Sequence, residues 1–144
     1  MSPLDADLIR RKLAVIARNL QDLASIENLS LDEYRADRFR QKGTERLLQE
    51  LIEAAVDANL HILRDHGVPT PSDYFHSFIE LGRHGVIPQP LAERLAPATG
   101  LRNRLVHEYD EIDDRIVLDS VGEARHEFAA YVAAIDRFLS EEAE

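Results

Sequence analysis

The sequence predicts an all-α fold, an up-and-down bundle of about four main helices with short helices between them. Three observations predict it. Apolar residues recur at three-to-four spacing through nearly the whole chain. Val117, Val121, Ala124, Phe128, Tyr131, Ile135 and Phe138 step alternately by four and three, a heptad-like seam that lets one helix pack along its length at a shallow angle. No run alternates as a strand does, and no hairpin dipeptide lies between such runs.

The elements follow in order. Leu4, Leu8, Ile9, Leu13, Ile16, Leu20 and Leu23 place a first helix over about 5–27. Ser30 with Glu33 reads as a capping box that opens a short helix or turn. Leu47, Leu48, Leu51, Ile52, Ala55, Val56, Leu60 and Leu63 give a second long helix, about 34–66, closed by Gly67 with Pro69 behind it. Thr70, Pro71 and Asp73 read as N-cap, first-turn proline and N3 carboxylate of a short helix over about 72–83, which Gly85 stops. Pro88, Pro90 and Pro97 cut the next region into short pieces. A helix then carries Leu101, Leu105 and Val106 and ends near Tyr109, and the seam forms the last helix. Periodicity suits the seam equally to core or to a dimer contact. Core is the expectation here, with the dimer built near the helix that carries residues 101–109.

Length and composition bound the function. The 144 residues suit one domain, 1–144, with one core. There is no cysteine, which removes disulfides, thiolate catalysis and cysteine-ligated zinc. No signal peptide and no apolar run long enough to span a membrane is visible, so a cytoplasmic protein is expected. The net charge of -10 taken alone argues against nucleic acid, but charge is unevenly spread. Residues 35–46 carry Arg35, Arg38, Arg40, Lys42 and Arg46 against Asp37 and Glu45, whereas residues 108–114 carry five carboxylates and no base. Each charge run also fits a plain solvated helix face.

Helical bundles hold di-metal centres through paired Glu-x-x-His motifs, and here only Glu123 with His126 has that spacing, with Asp73 and His76 as a weaker relative. His61, His66, His76 and His84 are scattered, and no glycine-rich phosphate loop exists. Neither a metal site nor a cofactor is expected.

The densest chemistry is Arg102-Asn103-Arg104-Leu105-Val106-His107-Glu108-Tyr109. As a helix it puts Asn103 and His107 on one face and Arg102 near Tyr109 on another. Arginine offers a permanent charge and a planar fork for phosphate. Histidine moves protons near neutral pH, and an amide can orient it. These parts suit cleavage of a phosphodiester by an internal 2′-hydroxyl without a metal. Of the six histidines only His107 has an arginine five positions earlier. An ordinary polar helix end remains the competing reading of the residues by themselves.

This segment, with Asp110-Glu111-Ile112-Asp113 behind it, resembles the R-x4-H-x-Y motif of HepT toxins, members of the HEPN superfamily of helical ribonucleases. The likeness extends to the first helix, to FRQKGTERLLQELIEAAVDANLHIL (39–63) and to APATGLRNRLVHEYDEID (96–113). It implies a HEPN-type bundle, homodimeric, whose two motifs meet in one composite cleft. It implies a toxin of a two-gene module that cleaves RNA without a metal, with Arg102 and His107 catalytic and Asn103 supporting. It implies a partner, a small MNT-type nucleotidyltransferase antitoxin that transfers AMP to Tyr109. On this reading Arg38, Lys42, Arg46 and Arg104 are the expected contacts to the RNA backbone. The alternative is a catalytically silent helical adaptor that binds a nucleotidyltransferase or a nucleotide; the intact Arg102, Asn103 and His107 count against it.

Overall fold

The computed structural model describes residues 3–143 and is built of helices. They are α1 (Pro3–Asp22), α2 (Leu31–Arg35), α3 (Arg38–Asp65), α4 (Tyr74–Arg83), α5 (Gln89–Leu95), α6 (Ala98–His107) and α7 (Asp114–Ala143), with a single 3-10 turn, Leu23–Ser25, after α1. Three helices are long. α1 packs on α3 and α7, while α4, α5 and α6 share the remaining side, with α4 and α6 on α3 and α5 on α7.

Local chemistry sets most boundaries. The capping box is present: the Ser30 hydroxyl accepts from the Glu33 amide and the Glu33 carboxylate accepts from the Ser30 amide. The long helix starts at Arg38 rather than at Tyr34, because Asp37 leaves the helical region and its carboxylate caps the Arg40 amide at 3.1 Å. Tyr34 therefore belongs to α2, where it is fully buried. Gly67 takes a φ of 71°, and the Val68 amide bonds back to the Leu63 carbonyl at 2.9 Å, as the expected C-terminal stop requires. Asp73 is the N-cap of α4 and not its N3 residue: its carboxylate accepts from the His76 amide at 2.8 Å, so α4 starts two residues later than 72. Pro88 caps α5 and Pro97 caps α6, which confirms the proline segmentation.

One continuous apolar core runs between the helices. The α7 seam is part of it: Val117, Val121, Ala124, Phe128, Tyr131 and Ile135 are buried within the chain. At its end Leu139 is the buried residue and Phe138 only half-buried, because an undistorted helix drifts against a strict heptad. On α1, Ile9, Leu13, Ile16, Leu20 and Leu23 are buried as the periodicity predicts; the Leu4 side chain lies outside the described residues, as does Glu144.

A polar network crosses this core. The Tyr131 hydroxyl lies 2.5 Å from Asn59 Oδ1 and 3.1 Å from the Ala55 carbonyl. Asn59 Nδ2 donates to Ser77 Oγ at 3.1 Å, and Ser77 donates to the Tyr74 carbonyl at 2.7 Å. Burial pushes the Tyr131 phenol far above its usual range, so it stays a neutral donor. The network joins α7, α3 and α4 and fixes the start of α4.

His66 ties the end of α3 to α7. Its ring nitrogens lie 3.1 Å from Glu142 Oε1 and 2.9 Å from the Ile62 carbonyl, and its ring stands 5.4 Å from Phe138. A carboxylate and a carbonyl only accept, so the doubly protonated ring is favoured and the His66 pKa rises, through Glu142 first and Ile62 second. A raised folded-state pKa stabilises below the unfolded value, and that contribution is lost as pH rises through the folded value. Thermal unfolding is therefore expected to lose a small contribution above about pH 6.5. Glu142→Gln should flatten that loss, by on the order of 0.5 kcal/mol for so exposed a pair.

Candidate functional site

α6 is the short helix that carries the dense motif, and it presents its residues on different sides. Leu101 and Leu105 are buried and seat it in the core. Arg102 lies against α3 and α4. Its Nε donates to Glu53 Oε1 at 3.0 Å, Nη2 is 3.0 Å from the same oxygen, and Nη1 donates to Asn103 Oδ1 at 3.3 Å. The guanidinium carbon stands 5.3 Å from the centroid of the Tyr74 ring, a cation–π contact. Glu53 is itself held by Gln49 Nε2 at 3.1 Å. Only 18% of the Arg102 side chain is exposed, so the guanidinium is a fixed charge with part of its donor edge left open.

Glu53 and Tyr74 are site residues that the sequence analysis missed. Both sit far from position 102 in the chain, and neither has a spacing that links it to the motif. The core network reaches Tyr74 through its backbone: Ser77 donates to the Tyr74 carbonyl, which ties the start of α4, from which the ring meets Arg102, to the bundle. Removing the clamp has a defined effect. Glu53→Gln keeps the shape and deletes the charge, leaving a half-buried arginine without its counterion. Stability is expected to fall by about 1–3 kcal/mol. If Arg102 acts on a phosphate, single-turnover cleavage should fall at least about tenfold as the guanidinium loses its orientation. Thermal unfolding and rapid-quench assays read the two effects separately.

His107 is the last residue of α6, exposed, and five positions from Arg102. On an α-helix that separation is about 140° of rotation and about 7.5 Å of rise. Within one chain the two side chains therefore leave α6 in different directions. Asn103 is one turn before His107, and its oxygen is turned to Arg102.

Tyr109 corrects an expectation. α6 ends at His107, and Glu108 already leaves the helical region, so Tyr109 lies in the connection to α7 and does not share a helical face with Arg102. The reason is electrostatic. The run of carboxylates over 108–114 opposes the negative end of α6 but favours the positive start of α7, where Asp113 accepts from the Arg115 amide at 2.9 Å. The helix stops early and the next begins at Asp114. Tyr109 is 65% exposed.

The expected RNA contacts divide. Arg38, Lys42 and Arg46 are exposed and follow one another at four-residue spacing along α3. Lys42 is 3.5 Å from Glu45 and Arg46 3.6 Å from Glu50, both loose pairs. Arg104 is elsewhere: it lines a cavity of about 210 Å³ between α3, α5, α6 and α7, together with Glu123 and Glu127. The Asp73–His76 pair is a helix cap, with Asp73 2.7 Å from the His76 ring. Among the described residues no group of three histidine, aspartate or glutamate side chains could hold a metal ion, and no helix is long and apolar enough to cross a membrane.

Comparison with known proteins adds the family. The family described as "Ribonuclease HepT-like" matches residues 16–135, a span that includes all of α3 and α6 and the first two-thirds of α7. The chain belongs to the HepT-like ribonuclease family. It is 40% identical over 139 residues to the "tRNA nuclease HepT" of Aphanizomenon flos-aquae, covering 96% of this chain and 95% of that protein. It is 30% identical over 129 residues to the "mRNA nuclease HepT" of Shewanella oneidensis, covering 90% and 96%. A solved structure of the tri-AMPylated Shewanella oneidensis HEPN toxin in complex with MNT antitoxin superposes with a TM-score of 0.82 at 28% identity, over 95% of this chain and 99% of that one. The matched span contains Arg102, Asn103, His107 and Tyr109.

Proposed function

We propose that this protein is the toxin of a toxin–antitoxin module, a metal-independent endoribonuclease that uses Arg102 and His107 and is silenced by AMP transfer to Tyr109. The observation that carries the reading is the fixed Arg102 guanidinium, held by Glu53 and Tyr74 on the same short helix that ends in an exposed histidine. Such a charge meets a phosphate without first having to order its own side chain.

The chemistry balances without a metal. His107 takes the proton of a 2′-hydroxyl, or gives one to the departing 5′-oxygen, as the 2′-oxygen bonds to phosphorus and the phosphorus–5′-oxygen bond breaks. Arg102 stabilises the charge gathering on the phosphate oxygens, and Asn103 orients the guanidinium. The products carry a 2′,3′-cyclic phosphate and a 5′-hydroxyl. Because Arg102 and His107 leave α6 in different directions, a cleft built from two copies of the chain serves the reaction better than one copy alone. This favours the homodimer, with the α6 ends facing each other.

Tyr109 is exposed and next but one to His107, which suits it as an acceptor. Its phenolic oxygen would attack the α-phosphorus of ATP in the antitoxin's site, and pyrophosphate would leave. The antitoxin partner is a small MNT-type nucleotidyltransferase, as in the complex of the Shewanella toxin. The first substrate to test is transfer RNA, the class in the name of the 40% identical relative, with messenger RNA beside it. Purified protein incubated with each RNA in EDTA should release cyclic-phosphate ends. Cleavage that needs an added divalent ion would refute the metal-free reading.

A further inference from the structure

The start of α3 carries a feature that the catalytic reading does not use. Phe39 is 92% exposed, the most exposed large hydrophobic side chain among the described residues; Tyr109 follows at 65%. An aromatic ring left this open in water stabilises nothing in the chain that bears it. Its surroundings are basic. Residues 35–46 hold five cations, and of their two acids Asp37 is used as the helix cap and Glu45 is buried. Arg38 has no ion-pair partner among the described residues, and Lys42 and Arg46 have only the loose pairs given above.

Gly43 sharpens the picture. It stands one turn after Phe39, in the interior of a 28-residue helix, where glycine costs about 1 kcal/mol relative to alanine. Neither backbone nor packing demands it: its φ is not positive, and a Cβ built there would meet nothing within 4 Å. What glycine does leave is bare helix one turn after Phe39 and about 40° around from it, while Lys42 and Arg46 lie together on the other side of the Phe39 line. A flat ring, an open shelf next to it and flanking cations are the parts of a single-strand binding surface, where a base stacks on an aromatic and phosphates meet fixed positive charge. The same face runs on toward the reaction. Residues 39, 46 and 53 lie within about 40° of one another around α3 and span about 21 Å of its length, and Glu53 is where Arg102 is held.

We propose that Phe39 is a stacking platform for an unpaired RNA base, with Lys42 and Arg46 holding the adjacent phosphates, so that a single strand lies along α3 toward Arg102. The occupant is RNA rather than a protein surface because the ring sits among cations on a chain of net charge -10, and stacking accepts any base. This rests on the ribonuclease reading and adds to it a binding site away from the cleaved bond.

The chain contains no tryptophan, which makes the test direct. Phe39→Trp gives a single reporter, studied in the His107→Ala background so that the RNA survives. Titration with a labelled single-stranded RNA of about 12 nucleotides should quench the indole, with affinity close to that of Phe39 protein. Phe39→Ala should weaken binding about tenfold and leave the dependence on salt unchanged, since no phosphate contact is lost. Lys42→Ala and Arg46→Ala should each lower the salt slope by about 1. Phe39 is exposed, so thermal unfolding should not move. Unquenched tryptophan with unchanged affinity in Phe39→Ala, alongside normal RNA cleavage by the wild type, overturns the platform and spares the nuclease. Loss of antitoxin binding or a change in oligomeric mass on Phe39→Ala, with RNA affinity intact, makes the ring a protein contact and also overturns it. No cleavage of any RNA by the wild type takes down the nuclease reading itself.

Discussion

Replacing His107 by alanine is expected to abolish toxicity on induction and to slow RNA cleavage by about 10²–10⁴-fold, the usual worth of a positioned general acid or base. The fold should not notice. His107 is exposed and ends its helix, and the core residues of α6 are Leu101 and Leu105. Arg102→Ala should cost about 10²–10³-fold in cleavage through lost charge stabilisation, but it also leaves Glu53 unpaired, so it should lower the unfolding temperature as well. A sharper result comes from mixing the two inactive proteins. If Arg102 of one copy works with His107 of the other, refolding an equal mixture should restore part of the activity, because mixed dimers contain one intact pair. Restoration needs both α6 ends at one cleft. A mixture as dead as its components places both groups of each reaction on one chain. Full toxicity of a folded His107→Ala protein would remove the proposed mechanism altogether.

The second large effect concerns Tyr109. Co-expressed with the nucleotidyltransferase, the wild-type protein should gain one or more AMP groups, read by intact mass and assigned to the peptide that contains Tyr109. Tyr109→Phe removes the attacking oxygen and keeps the ring, so the toxin should stay unmodified and cells should die despite the antitoxin. The physical effect of the modification is local. Each transferred AMP brings a negative phosphate and a nucleoside to a residue two positions from His107, within a connection that already carries four carboxylates. RNA phosphate is then repelled where the proton must move. Since Tyr109 lies beyond the end of α6, the proposed block would act at the His107 end of the helix and not over Arg102. Neutralisation of an unmodified Tyr109→Phe protein would mean that the antitoxin silences by binding alone.

Sequence patterns reported the elements well and their edges less well. The capping box at Ser30 and Glu33, the stop at Gly67 and the proline breaks were all readable, because each is local chemistry between residues a few positions apart. The start of α3 was misplaced because Tyr34 fits the apolar rhythm on either side of the Asp37 cap. The end of α6 was misplaced because helical spacing continues through Tyr109, while the carboxylates behind it favour the next helix start. The α7 seam could have been core or dimer contact, and only burial inside the chain decided for core.

The sequence by itself determined the helical class, the order of the helices and the motif from Arg102 to Tyr109, since periodicity and spacing are properties of neighbours along the chain. The tertiary structure decided how that motif is held. Glu53 and Tyr74 come from other helices, 49 positions before Arg102 in the first case, and the core network from Tyr131 to Ser77 holds the Tyr74 backbone at the start of α4. It also decided that Phe39, one apolar letter in a basic stretch, stands in the open. Contacts between distant residues and exposure to water exist only once the helices have packed, and no spacing in the chain encodes them one residue at a time.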